Sequence, residues 1–307
     1  MTKSHITCKI ERQQGRMNVK EIYIMKLIAI DLDGTLLSSE LKISEVNRKA
    51  ILKAQKEHQV MICSGRAPED IQAVLKEFDL TCDLAGSNGT VVYSNQKLLS
   101  RISISEDAAR KAANLLDQNN VPYKIYTSEG IYVLNSWSER TTLSIERLNG
   151  MHSISEKEYK RITEQPKADG AIKLFDSIED LLKINGLSIQ KFFILTLDQQ
   201  LKDELFPALG GIDGIAPTSS GPNNIEIMNP DGHKGTGLKV MAEHLGIRIE
   251  DTVAIGDNFN DVPMMEASGL SIAMGNADPD VKKLCDKVTL SNNEDGVAYA
   301  LETFLFN

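Results

Sequence analysis

Cysteine is scarce here: four in 307 residues, at Cys8, Cys63, Cys82 and Cys285, with no CxxC spacing. That excludes a zinc ribbon or a disulfide-stapled framework and fits a cytoplasmic setting. Long apolar runs are missing too. No stretch stays apolar for the ~18 or more residues that a bilayer span requires, so no membrane partner is expected. A basic surplus is absent, with 34 Lys and Arg against 43 Asp and Glu and a formal net charge of −9. Because a phosphate backbone demands a positive surface, a nucleic-acid partner is not expected, whereas a small phosphate held at one local cation remains open. Residues 1–24 lack the apolar stretch of a signal peptide and carry Lys3, Lys9, Glu11, Arg12, Arg16, Lys20 and Glu21 instead. With Met25 directly before the first strand, they read as a non-essential extension, an expectation that a deletion tests through folding and turnover. Repeats and low-complexity tracts are lacking as well.

What is present is an ordinary globular composition, 41% hydrophobic and 25% charged, with chain enough for two domains rather than one. Ile28-Ala29-Ile30 reads as a buried strand that empties into Asp31-Leu32-Asp33-Gly34-Thr35-Leu36. Taken alone, this is equally an Asp-Gly turn with two solvated acids. Ser44 then suits the N-cap of a helix through Val46, Ala50, Ile51 and Ala54. The run from Val60 to Cys63 is a second buried strand, followed by Ser64-Gly65-Arg66 and a helix opened by Pro68. Leu84-Ala85 leads into Gly86-Ser87-Asn88-Gly89, and Val91-Val92-Tyr93 with Leu98-Leu99 predicts a hairpin.

From Ser105 the texture changes. A helix near 107–116 precedes an antiparallel pair at 123–127 and 131–134; further strands fall at 192–196, 215–218 and 224–228, around a helix at 199–209. The charged middle, 136–166, gives no clear element. This block, 105–229, reads as an inserted α+β unit on one antiparallel sheet. After it, Lys234 opens a helix closed by Gly246. The strand Thr252-Val253-Ala254-Ile255 again empties into acids, in Gly256-Asp257-Asn258-Phe259-Asn260-Asp261. Strands at 271–274 and 287–290 and a helix at 297–304 complete the chain. Strands alternating with helices predict a doubly wound, largely parallel, Rossmann-like α/β core made of 25–104 and 230–307.

Parallel strands put their carboxyl ends on one edge, where open α/β sheets bind ligands, so Asp31 and Asp33 can converge with Asp257 and Asp261. Four gathered carboxylates repel one another unless a cation sits among them. An all-oxygen, acid-rich donor set suits Mg²⁺ and disfavours zinc. Ser64 and Lys234, each at a strand-helix junction, offer a hydroxyl, backbone N–H groups and a positive charge to phosphate oxygens. Together these are the parts that phosphoryl transfer needs. Asp31 is placed as a nucleophile that forms an aspartyl-phosphate. Asp33, two residues on, is placed to move the proton, for which neighbouring carboxylates and partial burial would raise its pKa.

The ordered set Asp31-Leu32-Asp33-Gly34-Thr35-Leu36, Ser64-Gly65-Arg66, Lys234 and Gly256-Asp257-Asn258-Phe259-Asn260-Asp261 resembles the four motifs of the haloacid dehalogenase superfamily phosphatases. Ser87-Asn88-Gly89, the large insertion, Met274-Gly275-Asn276-Ala277 and Glu294-Asp295-Gly296-Val297-Ala298 are similar to the Cof-type branch with a C2 cap. The likeness runs from about Met25 to Phe306. It implies that Asp31 is nucleophile and Mg²⁺ ligand, and that Asp33 is the acid/base and lends the metal its backbone carbonyl. Asp257 would be the other protein ligand to Mg²⁺, with Asp261 a supporting acid behind it. Ser64, Gly65, Lys234, Asn260 and the Leu32 N–H would contact the phosphate.

Other residues read more plainly. His233 is an incidental loop histidine, Arg66 is suited to pair with a carboxylate rather than touch substrate, and Trp137 and Tyr132 belong to the core of the insertion. The expected activity is Mg²⁺-dependent hydrolysis of a small phosphorylated metabolite, such as a sugar phosphate. A phosphomutase shares the same chemistry. A phospho-accepting signalling module combines similar acids with a Ser and a Lys but needs no insertion, and an acyl-phosphate donor would leave it stably phosphorylated.

Overall fold

The computed structural model describes residues 6–7, 23–148, 156–168 and 172–306. Most of the 1–24 extension therefore lies outside the described residues; within it, β1 (Ile6–Thr7) pairs antiparallel with β2 (Tyr23–Ile24).

The larger sheet grows from β3 (Leu27–Asp31), whose five residues are all buried. Period-2 alternation explains why. Ile28 and Ile30 pack on one face with Ala50 and Ile51 of α1 (Glu45–Ala54), and Leu27 and Ala29 pack on the other. Ser44 caps α1, its hydroxyl accepting from the Asn47 N–H, and β4 (Gln59–Cys63) returns parallel beside β3. Pro68 opens α2 (Pro68–Glu77), after which β5 (Asp83–Gly86) is again parallel. The hairpin β6 (Val91–Ser94) and β7 (Lys97–Arg101) turns the sheet antiparallel at that edge.

The inserted segment opens with α3 (Glu106–Gln118), which lays Ala108, Ala109, Ala112, Ala113 and Leu116 on a second sheet. Its elements follow as β8 (Tyr123–Thr127), β9 (Gly130–Leu134), α4 (Trp137–Glu146), α5 (Glu156–Thr163), β10 (Ile172–Phe175), α6 (Ile178–Leu182), β11 (Ile189–Leu195), α7 (Gln199–Gly210), β12 (Ala216–Thr218) and β13 (Asn224–Met228). The strand order is β10-β9-β8-β11-β13-β12. One expectation is corrected here: the sheet is not purely antiparallel, because β10 pairs parallel with β9. β10 is a half-exposed edge strand interrupted by Lys173, so it carries too little alternation to be read from sequence.

The chain then returns through α8 (Lys234–Leu245), β14 (Thr252–Gly256), α9 (Val262–Ala267), β15 (Leu270–Ala273), α10 (Pro279–Lys283), β16 (Lys287–Val288) and α11 (Gly296–Phe304). Gly246 closes α8 in the left-handed region, as its sequence position predicts. The strand expected at 287–290 is confined to Lys287–Val288, both exposed at the sheet edge. The order β16-β15-β14-β3-β4-β5-β6-β7 makes a mixed, parallel-rich sheet with helices on both faces. From β3 the chain first winds outward to β4 and β5, and later fills the opposite side with β14. The strand order therefore reverses between β3 and β14, the position where such sheets open a crevice.

Candidate active site

Because β3 and β14 are parallel neighbours with Ile30 opposite Ile255, their last residues leave the same sheet edge. Asp31 ends one strand and Asp257 follows the other. Asp31, Asp257 and Asp261 each offer a carboxylate oxygen within 4.8 Å of the others. Lys234, fully buried at the start of α8, reaches between two of them: its Nζ donates to Asp31 Oδ1 and Asp261 Oδ1, each at 2.5 Å. The other oxygen of Asp261 accepts from the N–H groups of Asp257 at 2.9 Å and Asn258 at 3.0 Å. Both oxygens of Asp261 are thus engaged by protein, one by Lys234 and the other by the loop backbone. Thr35, absent from the sequence-derived set, donates its hydroxyl to Asp257 Oδ1 at 2.9 Å.

Burial dominates the electrostatics. It raises Asp31 well above the usual carboxylate range, with the charge of Asp261 adding to the effect and Lys234 opposing it. Burial first, then Asp261, lifts Asp257 to about 6. Burial also disfavours the Lys234 ammonium, but Asp261 and Asp31 more than reverse this and hold it charged. One lysine leaves the three acids short of positive charge. Their donors are all oxygens, and Asp31 and Asp257 face each other across the crevice, so the set fits a hard divalent cation. Cys63, beside Asp31 on the neighbouring strand, is pushed up to about 12 by burial and is no competing nucleophile.

Asp33 departs from its expected surroundings. Its neighbour is not another carboxylate but the Arg66 guanidinium, which donates from Nε to Oδ2 at 2.8 Å and from Nη2 to Oδ1 at 2.5 Å. Its side chain is 47% exposed. The pairing is the one expected of Arg66. Ser64 is buried at the end of β4, its hydroxyl accepting the Arg66 N–H at 3.2 Å in a tight turn. Leu32 sends its side chain into the core, and Asn260 donates to Asn88 Oδ1 at 3.2 Å.

A cavity of about 190 Å³ lies over these groups. Its floor includes Asp31, Asp33, Ser64, Gly65 and Asn260, and its roof is Tyr126, Lys191, Phe193 and Glu226 from the inserted sheet. Asn88, Lys191 and Glu226 were not among the sequence-derived site residues. The signal for the last two was nevertheless there: a single charge stands in each of the mostly apolar, buried strands β11 and β13. His233 caps α8, accepting the Thr236 N–H at 3.2 Å, while Tyr132 and Trp137 are buried in the insertion.

Residues 28–301 match a family model described as haloacid dehalogenase-like hydrolase. A 5-amino-6-(5-phospho-D-ribitylamino)uracil phosphatase, YwtE of Bacillus subtilis (strain 168), is 35% identical over 287 residues, covering 92% of this chain and 98% of the relative. Phosphatase YwpJ of the same organism is 28% identical over 285 residues, covering 92% and 100%. Among solved structures, a haloacid dehalogenase-like hydrolase from B. subtilis superposes with a TM-score of 0.79 at 28% identity, over 92% of this chain and 100% of that one.

Proposed function

The chain belongs to the haloacid dehalogenase-like hydrolases, and from that premise we propose that it is a Mg²⁺-dependent phosphatase of a small phosphorylated metabolite, working through a phosphorylated Asp31. Residues 25–104 and 230–307 form the catalytic core in this reading, and 105–229 the cap that closes over it. The observation that carries it is the clustered Asp31, Asp257 and Asp261, with buried Lys234 bridging Asp31 to Asp261 and Asp31 lining the cavity above.

Asp31 attacks phosphorus with one carboxylate oxygen, and the bond from phosphorus to the ester oxygen breaks. Asp33 gives its proton to the departing oxygen. A water then attacks the phosphorus of the acyl phosphate, loses its proton to the Asp33 carboxylate, and the phosphorus–Asp31 bond breaks to release phosphate. Lys234, the Ser64 hydroxyl, the Gly65 and Leu32 N–H groups and the Asn260 amide hold the transferring oxygens. Asp31 and Asp257, with the Asp33 carbonyl, would hold Mg²⁺, which supplies charge that lets a carboxylate approach a phosphate dianion. Asp261 keeps Lys234 and the 257–258 backbone in place for that encounter. The roof excludes water during the first transfer, and its Tyr126 and Phe193 face the leaving group.

The test is a screen of phosphorylated metabolites for phosphate release with Mg²⁺ present. Sugar phosphates and 5-amino-6-(5-phospho-D-ribitylamino)uracil, the compound in the name of a 35% identical relative, belong in it. Release from one of them is expected. A stable phosphoprotein with an acyl-phosphate donor and no release would favour a signalling role, and a transfer back to substrate a mutase.

A further inference from the structure

Two charges sit where strands bury apolar side chains, and they bond each other and the loops that leave β4 and β5. Lys191 on β11 is 1% exposed and Glu226 on β13 is 2% exposed. Lys191 Nζ donates to Glu226 Oε1 at 2.7 Å and to the Gly65 carbonyl at 2.6 Å, and it stands 4.4 Å from the centre of the Tyr126 ring. Glu226 Oε2 accepts from Asn88 Nδ2 at 2.6 Å, and Asn88 Oδ1 accepts from Asn260. One connected path thus runs from the Gly65 turn, through the inserted sheet, to Asn260.

Such a path is costly to build. Ser87, Asn88 and Gly89 are consecutive left-handed residues, with φ of 48°, 59° and 87°. A β-carbon on Gly89 would lie 2.4 Å from the His233 carbonyl oxygen, and one on Gly65 would lie 3.0 Å from Asn88 Oδ1. A buried ion pair adds little net stability over an apolar pair of similar volume. Stability alone therefore does not account for it.

We infer that Lys191, Glu226 and Asn88 are positioning residues, which set the Gly65 turn and the Asn260 amide in their phosphate-binding geometry through contact with the inserted sheet. Both Glu226 oxygens and the Lys191 ammonium are engaged by protein, so they act through Gly65 and Asn260 rather than on substrate. The inference rests on the phosphatase reading for its kinetic consequence, but not for its structural one. The site is complete only when the roof is seated, which ties water exclusion to phosphate binding.

The test uses Lys191→Met, Glu226→Gln and the double variant Lys191→Met/Glu226→Met in the full chain. The double variant carries no unpaired buried charge, so it is expected to recover most of the thermal stability lost by the singles. Its kcat/KM for an aryl phosphate should stay at least tenfold below wild type, with inorganic phosphate inhibiting correspondingly less. Amide hydrogen exchange over 62–68 and 86–90 should be at least tenfold faster in all three. If the double variant regains both stability and kcat/KM, or exchange in those segments is unchanged, the positioning role is refuted. A wild-type protein without phosphatase activity would overturn the catalytic reading, and the exchange result would still decide whether the path holds the turn.

Discussion

Removing the ammonium of Lys234 exposes how much of the site's integrity one residue carries. In Lys234→Met the side-chain volume is kept, while Asp31 and Asp261 lose their shared partner in a position that is fully buried. Each 2.5 Å contact is a charge-assisted hydrogen bond, worth about 1.5–3 kcal/mol. Two of them bracket the ~3–5 kcal/mol expected when one partner of a buried ionic group is deleted. At ~2–4 °C per kcal/mol, the melting temperature in EDTA should fall by roughly 10 °C. The control is Lys53→Met, which breaks a half-exposed pair with Glu302, worth only ~0–1 kcal/mol. Thermal unfolding is followed by circular dichroism, and turnover by phosphate release. Turnover should drop by about 10²–10³, since a preorganised charge at the transferring group is lost. Adding Mg²⁺ should restore more stability than turnover, because a cation relieves the carboxylates without replacing the lysine. A melting temperature within about 2 °C of the Lys53→Met control would refute the burial argument. Undiminished turnover would remove Lys234 from the site.

Asp31→Asn should abolish turnover and leave the fold intact; residual activity on an aryl phosphate at more than about a thousandth of wild type would reject the nucleophile assignment. EDTA should silence the enzyme and Mg²⁺ revive it, whereas a chelator-insensitive rate would count against a metal held by Asp31 and Asp257. The pH dependence has a definite sign. Asp257 is raised to about 6 when folded, against about 3.9 in an unfolded chain, and Asp31 is raised in the same sense. Without metal, this contribution to stability is full below about pH 4 and is lost as pH rises through about 6. A divalent cation needs the ionised carboxylates, so the Mg²⁺-induced rise in melting temperature should be larger at pH 7 than at pH 5. The opposite order would place the cation elsewhere.

The parallel core was legible because each of its central strands is a short apolar run bounded by turn chemistry, and because Ser44, Pro68 and Gly246 mark helix ends. The two acid clusters announced themselves the same way, as charge at the exit of buried strands. What the sequence hid is pairing across distance. That Arg66 pairs with a carboxylate was expected, but nothing local says that Asn88 meets Glu226 over 138 residues of separation. Edge elements such as β10 and β16 were missed or overdrawn because exposure on one side erases the alternation that makes a strand readable.

Gly34 shows how a residue read for one reason can serve a second. From sequence it is the residue that lets the chain turn after Asp33, and its φ of +82° confirms a backbone that side chains resist. The space beside it matters more: a β-carbon there would stand 2.5 Å from Asp257 Oδ2 and 2.9 Å from both Asp257 Cγ and Oδ1. Gly34→Ala therefore combines about 1 kcal/mol of backbone strain with displacement of one carboxylate. Asp31 and Lys234, on the far side of the triad, keep their contact. The damage should fall on the cation: the Mg²⁺ concentration for half-maximal activity should rise at least tenfold, while turnover at saturating Mg²⁺ recovers to within a few-fold of wild type. Titrating Mg²⁺ by isothermal calorimetry separates the two. An unchanged Mg²⁺ requirement would mean that Asp257 does not hold the metal, and a turnover loss that Mg²⁺ cannot restore would mean that Gly34 matters for the nucleophile instead.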